Sequence, residues 1–312
     1  MAACVDNSTK HCIYLTADSS PCQITNSISR LIRLCRPSAS DLSSCNPIYQ
    51  YASCTNRFDS SFKVSPQVYS EDHIWLKIRR EAEFDIMQEP ILSKWYHSAI
   101  LSHSSLESAL ANHLANKLCN ADLSQDGLYS VFLKALDEDS EIQQAVRDDL
   151  KAVRERDPAC VSYVHCLLNF KGFLACQAHR LAHKFWVQKR TVLALLIQSR
   201  VSEVFAMDIH PGAKIGRGVM FDHGTGVVIG ETAVIGNNVT ILHDVTLGGT
   251  GKVQGDRHPK IGDGVLIGAG AKVLGNVKVG ENAKIGAGSI VLKEIPPRGT
   301  AVGNPARLVG LR

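Results

Sequence analysis

The C-terminal third of the chain repeats every six residues, and this period constrains the fold more than any other feature of the sequence. Apolar side chains follow the six-residue step in three runs: Ile209, Ile215 and Phe221; Ile229, Ile235, Ile241 and Leu247; and Ile261, Ile267, Val273, Val279, Ile285 and Val291. An α-helix has 3.6 residues per turn and cannot keep such positions on one face. A hexapeptide period is typical of a parallel β-helix, in which each repeat forms one side of a coil.

The sequence pattern changes at residue 206. Of the 24 glycines, 22 follow residue 206, where they suit the turns of a β-helix. Residues 71–206 instead show helical periodicity, as in "EDHIWLKIRREAEFDIMQEP", where Ile74, Ile78 and Ala82 share one face and Pro90 ends the helix. We therefore predict an α+β protein with an α-helical domain of six to eight helices over 71–206 and a parallel β-helix over 207–312.

Residues 1–70 hold fourteen serines and six cysteines without any periodicity, and we predict that they form a disordered extension. Arg30, Arg33 and Arg36 lie in this segment with no acidic residue nearby. That composition is found in organelle transit peptides and equally in variable basic tails. The expected compartment is the cytoplasm, with the plastid or mitochondrion as the alternative.

Composition excludes several classes of partner and cofactor. The net charge of +4 is small and dispersed, which argues against nucleic acid, and no apolar run reaches the length of a membrane span. The ten cysteines are irregularly spaced, and we interpret them as free thiols. Cys160, Cys166, Cys176, His179 and His183 could suggest zinc, but they lack a CxxC pair and lie in an apolar helix pattern, so core packing is the favoured interpretation.

Polar residues concentrate where the hexapeptide repeat is interrupted, and we predict that these interruptions form the functional site. The first lies in "MDIHPG", the second in "FDHGTGVVIGE" and the third in an insertion that lengthens one step to fourteen residues. The polar residues at these points are Asp208, His210, Asp222, His223, Glu231, Asp256, Arg257 and His258. A zinc hydrolyase of the carbonic anhydrase type is a rival interpretation, but Arg257 beside His258 disfavours a cation site. Acid–base chemistry on an organic substrate is preferred.

At this level of detail the chain resembles the hexapeptide-repeat serine O-acetyltransferases, in particular their plant-type branch. The stretches that carry the resemblance are "RDPAC", "KGFLACQAHRLAH", "DIHPGAKIGRG", "FDHGTG", "LGGTGK", "GDRHPKIGDGVLIGAG" and "AVGNPARL", which together span about residues 70–310. The resemblance implies a left-handed β-helix and transfer of an acetyl group from acetyl-coenzyme A to the hydroxyl of L-serine. O-acetylserine is the expected product, made for cysteine biosynthesis, with acetyl-coenzyme A as a co-substrate and no cofactor or metal.

The resemblance also implies roles for the residues at the interruptions. His223 would be the general base that deprotonates the serine hydroxyl, since imidazole titrates near neutral pH, and Asp208 would orient its ring. Asp157 and Asp222 would bind the serine ammonium, while the planar guanidinium of Arg257 would bind the carboxylate. His258 and Glu231 would complete the pocket.

Further expectations concern coenzyme A, assembly and regulation. Coenzyme A would lie in a groove between adjacent β-helices near Gly249, Ala269 and Ala287, in a dimer of trimers. L-cysteine is expected as a feedback inhibitor. The family's partner, O-acetylserine (thiol) lyase, binds a C-terminal tail, and because this sequence stops at "NPARLVGLR" we expect weak binding. An acyltransferase with another hydroxyl or amine acceptor and a non-catalytic β-helix scaffold remain the alternative functions.

Overall fold

The computed structural model describes residues 72–251 and 254–310. The predicted extension at 1–70 and the C-terminal Leu311 and Arg312 therefore lie outside the described residues. The described helices are α1 (His73–Gln88), α2 (Ser93–Tyr96), α3 (Leu106–Leu118), α4 (Gln125–Asp137), α5 (Ser140–Arg156), α6 (Tyr163–Asn169), α7 (Lys171–Val187) and α8 (Thr191–Phe205). This part of the chain thus has eight α-helices, in agreement with the predicted six to eight, and none is long and apolar enough to cross a membrane.

Local sequence explains where several helices begin. Asp72, Ser105, Asp139 and Ser162 each precede a helix, and their side-chain oxygens accept hydrogen bonds from backbone N–H groups of the first turn. These N–H groups have no carbonyl partner within the helix, so the cap satisfies them. Serine and aspartate thus mark the beginnings of these four helices.

After residue 206 the chain winds into a parallel β-helix with three sheets. Sheet A holds β1 (Met207–Ile209), β4 (Val227–Ile229), β7 (Thr246–Gly248), β10 (Lys272–Leu274) and β13 (Ile290–Val291). Sheet B holds β2 (Lys214–Ile215), β5 (Val234–Ile235), β8 (Lys260–Ile261) and β11 (Lys278–Val279). Sheet C holds β3 (Met220–Phe221), β6 (Thr240–Ile241), β9 (Leu266–Ile267), β12 (Lys284–Ile285), β14 (Thr300–Gly303) and the antiparallel β15 (Ala306–Val309).

The strand register explains the hexapeptide period. In sheet A, Ile229 pairs with Ile209 on one side and with Leu247 on the other, and the repeat positions of sheets B and C stack in the same way. All thirteen positions lie in the core except Ile215, which is half-buried and packs against it. Each sheet therefore buries one ladder of apolar side chains, to which each coil contributes one residue, and this burial supplies the main stabilisation of the β-helix.

A buried ion pair joins the helical domain to the β-helix. The fully buried carboxylate of Asp149 on α5 accepts hydrogen bonds from the Arg180 guanidinium on α7, at 2.7 Å, and from the backbone N–H of Val219, at 2.8 Å. Arg180 also donates to the carbonyls of Ile215 and Gly216. Because every charged group here has partners, the ion pair fixes α5 and α7 against the coil that contains β3.

The cysteines and histidines that could suggest zinc lie in the helical core. Cys160, Cys166 and Cys176 are buried free thiols, and the imidazole of His179 is only 3% exposed. Burial raises the pKa of the Cys176 thiol to about 12 and lowers the pKa of His179 to about 3. The core-packing interpretation is therefore confirmed for these side chains.

Candidate functional site

The predicted site residues of the β-helix lie at two different corners. Strands leave sheet C and enter sheet A through turns that contain Asp222, His223, His243, Ala269 and Ala287, which we call the His223 corner. They leave sheet A and enter sheet B through turns that contain His210, Glu231, Thr232, Gly249, Arg257 and His258, which we call the Arg257 corner. Each strand of sheet A runs from the first corner to the second.

His223 has an unusual backbone conformation. Its φ is +57°, in the left-handed region that residues other than glycine seldom adopt, and its side chain is 72% exposed. Its Nε2 lies 3.7 Å from Oδ1 of Asp222. Asn238, Asp244 and Asn282 have a similar φ in other turns of the β-helix, so what distinguishes His223 is its exposed imidazole beside a carboxylate.

A second histidine at this corner was missed by sequence reasoning. The ring of His243 lies edge-on to that of His223, with 5.6 Å between ring centroids. The register explains this, because Phe221 pairs with Ile241 and places residue 243 one coil above residue 223. The signal was present in the sequence as a spacing of one coil, but His243 interrupts no repeat and so drew no attention.

The turn that contains His223 is packed closely against the helical domain. A Cβ on Gly172, at the start of α7, would lie 2.2 Å from the carbonyl oxygen of Phe221, so only glycine allows this approach. The Nζ of Lys171 donates a hydrogen bond to Oγ1 of Thr225. The first turn of α7 therefore holds the backbone on both sides of Asp222 and His223.

Asp157 lies where the end of α5 meets the β-helix. It follows the last residue of α5, and its Oδ1 accepts a hydrogen bond from the N–H of Ala159 at 2.8 Å. The neighbouring Arg156 donates to the carbonyl of Asn238 and to Oγ1 of Thr240, at 3.1 and 3.2 Å. Thr240 pairs with Met220 on the strand that leads to Asp222. The helical domain thus places a carboxylate where α5 meets the turn before β6, and a contact of Asp157 with the His223 corner stays a prediction.

Asp208 does not contact His223 as the sequence analysis expected. It lies on β1, and its Oδ1 accepts a hydrogen bond from Nε2 of Gln198 on α8, at 2.7 Å. The described contacts include no hydrogen bond or ion pair between Asp208 and His223. In this conformation α8 supplies the partner of the carboxylate, and the pairing of Asp208 with His223 stays a prediction.

At the Arg257 corner the predicted residues form one connected group. The Nη2 of Arg257 donates to Oε2 of Glu231 at 2.8 Å, and this hydrogen bond lowers the pKa of Glu231 below its usual value. His258 is 7% exposed, and its pKa is lowered first by burial and then by the charge of Arg257. His210 lies close enough for its own pKa, lowered mainly by burial, to respond to Glu231 and Arg257.

The two corners do not meet within one chain. The three-residue strand β4 alone separates His223 from Glu231 by roughly 10 Å of extended backbone. A cavity of about 1010 Å³ lies between α5, α7 and β2, but none of the proposed base or clamp residues lines it. A substrate that contacts both groups would therefore need the Arg257 corner of one chain beside the His223 corner of another.

The residues expected at coenzyme A divide between the corners. Ala269 and Ala287 follow β9 and β12, so they continue the His223 corner along the β-helix, and Gly288 donates from its N–H to the carbonyl of Ala269. Gly249 lies at the Arg257 corner, where an added Cβ would come within 3.5 Å of Nε2 of His258. Small side chains therefore line both corners.

Family models match both parts of the chain. Residues 74–178 match the model described as serine acetyltransferase, N-terminal. Residues 258–293 match bacterial transferase hexapeptide (six repeats), and residues 212–243 match the hexapeptide repeat of succinyl-transferase.

Relatives from Arabidopsis thaliana cover most of the chain. It is 65% identical over 239 residues to serine acetyltransferase 3, mitochondrial, covering 77% of this chain and 61% of the relative. It is 61% identical over 260 residues to serine acetyltransferase 1, chloroplastic, covering 82% of this chain and 83% of the relative.

Solved structures share the fold. Soybean serine acetyltransferase complexed with serine superposes with a TM-score of 0.74 at 65% identity, over 76% of this chain and 97% of that one. Serine acetyltransferase in complex with coenzyme A from Brucella abortus strain S19 gives 0.75 at 49% identity, over 77% of this chain and 96% of that one.

Proposed function

The chain belongs to the serine acetyltransferase family and is an acyltransferase, and we propose that it transfers the acetyl group of acetyl-coenzyme A to the hydroxyl of L-serine. The observation that carries the proposal is the division of charge between the corners. The carboxylate of Asp222 accompanies the exposed His223, and a guanidinium held by Glu231 lies at the other corner. A free amino acid that bears a hydroxyl has complementary ammonium and carboxylate groups.

In this proposal His223 is the general base. It takes the hydroxyl proton of serine as the oxygen attacks the thioester carbonyl, and the tetrahedral intermediate then breaks its C–S bond and expels coenzyme A as its thiolate. The His223 imidazolium returns the proton to this thiolate, which regenerates the base. His223 is exposed, so its ring can turn from Asp222 toward Asp208 once Asp208 exchanges its hydrogen bond with Gln198. Asp208 would then orient the ring and stabilise the imidazolium that forms.

The remaining residues bind the two charged ends of serine. Asp157 and Asp222 accept hydrogen bonds from the ammonium, and Arg257 donates two parallel hydrogen bonds to the carboxylate. His258 lies next to Arg257 and adds a neutral donor. Glu231 holds the guanidinium from behind, at 2.8 Å, and therefore fixes its direction without touching serine.

A closed trimer would complete the site, because it pairs unlike corners of neighbouring chains around the ring. Acetyl-coenzyme A would then lie in the groove between two β-helices, along Ala269 and Ala287 of one chain and Gly249 of the next. Pairing of two trimers would use exposed apolar side chains of α1, of α2 and of the turn between them, which are Phe84, Met87, Ile91 and Trp95. It is supported by their exposure, since large apolar patches mark interaction surfaces.

Regulation and location are part of the same proposal. L-cysteine carries the same ammonium and carboxylate as serine, so we propose that it inhibits by competing for the same two corners. Docking of the lyase stays a prediction. Two relatives are named as mitochondrial and chloroplastic, which supports the organelle alternative over the expected cytoplasm.

One assay tests the acceptor. Purified protein is mixed with acetyl-coenzyme A, and release of the free thiol is measured with L-serine, with ethanolamine, which lacks the carboxylate, and with 3-hydroxypropionate, which lacks the ammonium. Release with L-serine alone is expected. Equal release with all three, or with a sugar acceptor, would indicate an acyltransferase for another substrate, and no release would support the scaffold.

A further inference from the structure

The hydroxyl of Thr232 lies at the centre of the Arg257 corner. Its Oγ1 accepts hydrogen bonds from two successive backbone N–H groups, those of Arg257 at 3.0 Å and His258 at 3.1 Å. Both residues lie at the end of the long insertion between β7 and β8, in which the described residues form no strand. One side chain therefore anchors the backbone of both clamp residues to the turn that follows β4.

Thr232 also determines which nitrogen of His258 carries a proton. The backbone N–H of Thr232 donates to Nδ1 of His258 at 3.1 Å, and Oγ1 lies 2.9 Å from the same atom. A backbone N–H can only donate, so Nδ1 must be an acceptor. His258 is therefore neutral with its proton on Nε2, and the lowered pKa of His258 agrees with this assignment.

Packing holds the His258 ring in one orientation. An added Cβ on Gly230 would lie 2.1 Å from Nε2, and one on Gly249 would lie 3.5 Å from it, so the imidazole rests against bare backbone. The ring is 7% exposed and cannot turn freely. Lys260 secures the turn from the other side, because its Nζ donates to the carbonyl of Thr232 at 2.7 Å.

We propose that Thr232 is the positioning residue of the serine-carboxylate clamp: it places the backbone of Arg257 and His258 and holds His258 as a neutral Nε2–H donor. The inference rests on the proposed function, since the clamp is meaningful only if the substrate bears a carboxylate. Thr232 itself does not touch substrate. Thr232 acts through Arg257 and His258, which would contact the substrate.

The test compares Thr232→Val with Thr232→Ser. Valine has nearly the shape of threonine but no hydroxyl, whereas serine keeps the hydroxyl and loses a methyl group. Thr232→Val is expected to raise the KM for serine about tenfold, as the three hydrogen bonds of the hydroxyl are lost, while the KM for acetyl-coenzyme A changes less than about twofold. Thr232→Ser should restore the KM for serine to within about threefold of the wild type.

Thr300→Val is the matched control, since Thr300 faces outward on β14 and makes no side-chain hydrogen bond among the described residues. It should leave both KM values unchanged. Thermal unfolding is measured for all variants, because a folding defect lowers the unfolding midpoint and the turnover number. A clamp defect instead raises only the KM for serine. A Thr232→Val enzyme with wild-type KM for serine would overturn the inference, as would equal damage from Thr232→Ser. A wild type that does not acetylate serine would instead overturn the proposed function.

Discussion

The two corners of sheet A hold their histidines in opposite ways. The side chain of His223 is 72% exposed and lies on a left-handed backbone, with a single carboxylate 3.7 Å away. His258 is 7% exposed, and hydrogen bonds from Thr232 fix its ring. The difference teaches that one scaffold separates two needs: a base must move as it takes and returns a proton, whereas a clamp for a charged group gains specificity from rigid placement.

The largest expected effect comes from His223, the exposed histidine. His223→Ala should lower turnover by at least about a hundredfold, the low end for lost general base catalysis. The side chain is exposed and buries little surface, so the fold should remain intact. Steady-state kinetics and circular dichroism check the two halves of this prediction. Near-normal turnover from a folded variant would remove His223 from the role of base.

The division between corners can be tested by mixing two inactive chains. His223→Ala and Arg257→Ala place their defects at different corners, so about a quarter of the interfaces in randomly mixed trimers would combine two intact corners. Co-expressed and purified mixed oligomers should recover roughly that share of wild-type activity. His223→Ala mixed with Asp222→Ala is the control, because both defects lie at one corner and no interface is intact. Recovery in neither mixture would show that each site is built by one chain.

Arg257→Lys sharpens the comparison at the rigid corner. Lysine keeps the charge but replaces a two-pronged donor by a single ammonium, which also weakens the contact with Glu231. The KM for serine should rise about tenfold, with little change in the KM for acetyl-coenzyme A. Arg217→Lys is the control, since Arg217 lies in the turn from β2 to β3, away from both corners, with its Nε 3.8 Å from Oδ2 of Asp148. A rise confined to acetyl-coenzyme A would assign Arg257 to the nucleotide.

The sequence predicted the fold better than the arrangement of the site. Burial of the aliphatic ladder requires the six-residue step, so the β-helix followed directly from positions such as Ile229 and Leu247. The interruptions also identified His223 and Arg257. Their separation onto two corners was not predicted, because it depends on how the coils stack, and the contact of Asp208 with Gln198 depends on how α8 packs. The same stacking brings His243 beside His223, although the repeat there is regular.

A smaller effect is expected at Arg156, which ties the end of α5 to the coil. Arg156→Gln removes the donors to Asn238 and Thr240, so Asp157, which is proposed to bind the serine ammonium, is less firmly placed against the β-helix. These bonds are partly exposed, and we expect the KM for serine to rise only about threefold. Arg156→Lys, which keeps one donor, should lie between the variant and the wild type. A rise equal to that of Arg257→Lys would mean that the first corner also depends on rigid placement.

The smallest effect is the pH dependence of the rigid corner. Burial and the charge of Arg257 lower the pKa of His258, so in the folded protein it stays neutral as the pH falls through about 6.5, the ordinary value for histidine. The hydrogen bond from Arg257 lowers the pKa of Glu231, which therefore stays ionised in the same range. Neither His258 nor Glu231 titrates between pH 7.5 and 6.5 in the folded protein, and the KM for serine should change less than about twofold there.

The unfolded chain binds a proton at position 258 as the pH falls through this region, so His258 also makes the fold less stable toward acid. Measuring KM and the midpoint of thermal unfolding across this range tests both signs. A tenfold rise in KM with unchanged unfolding would show that the clamp titrates and is not held in one protonation state.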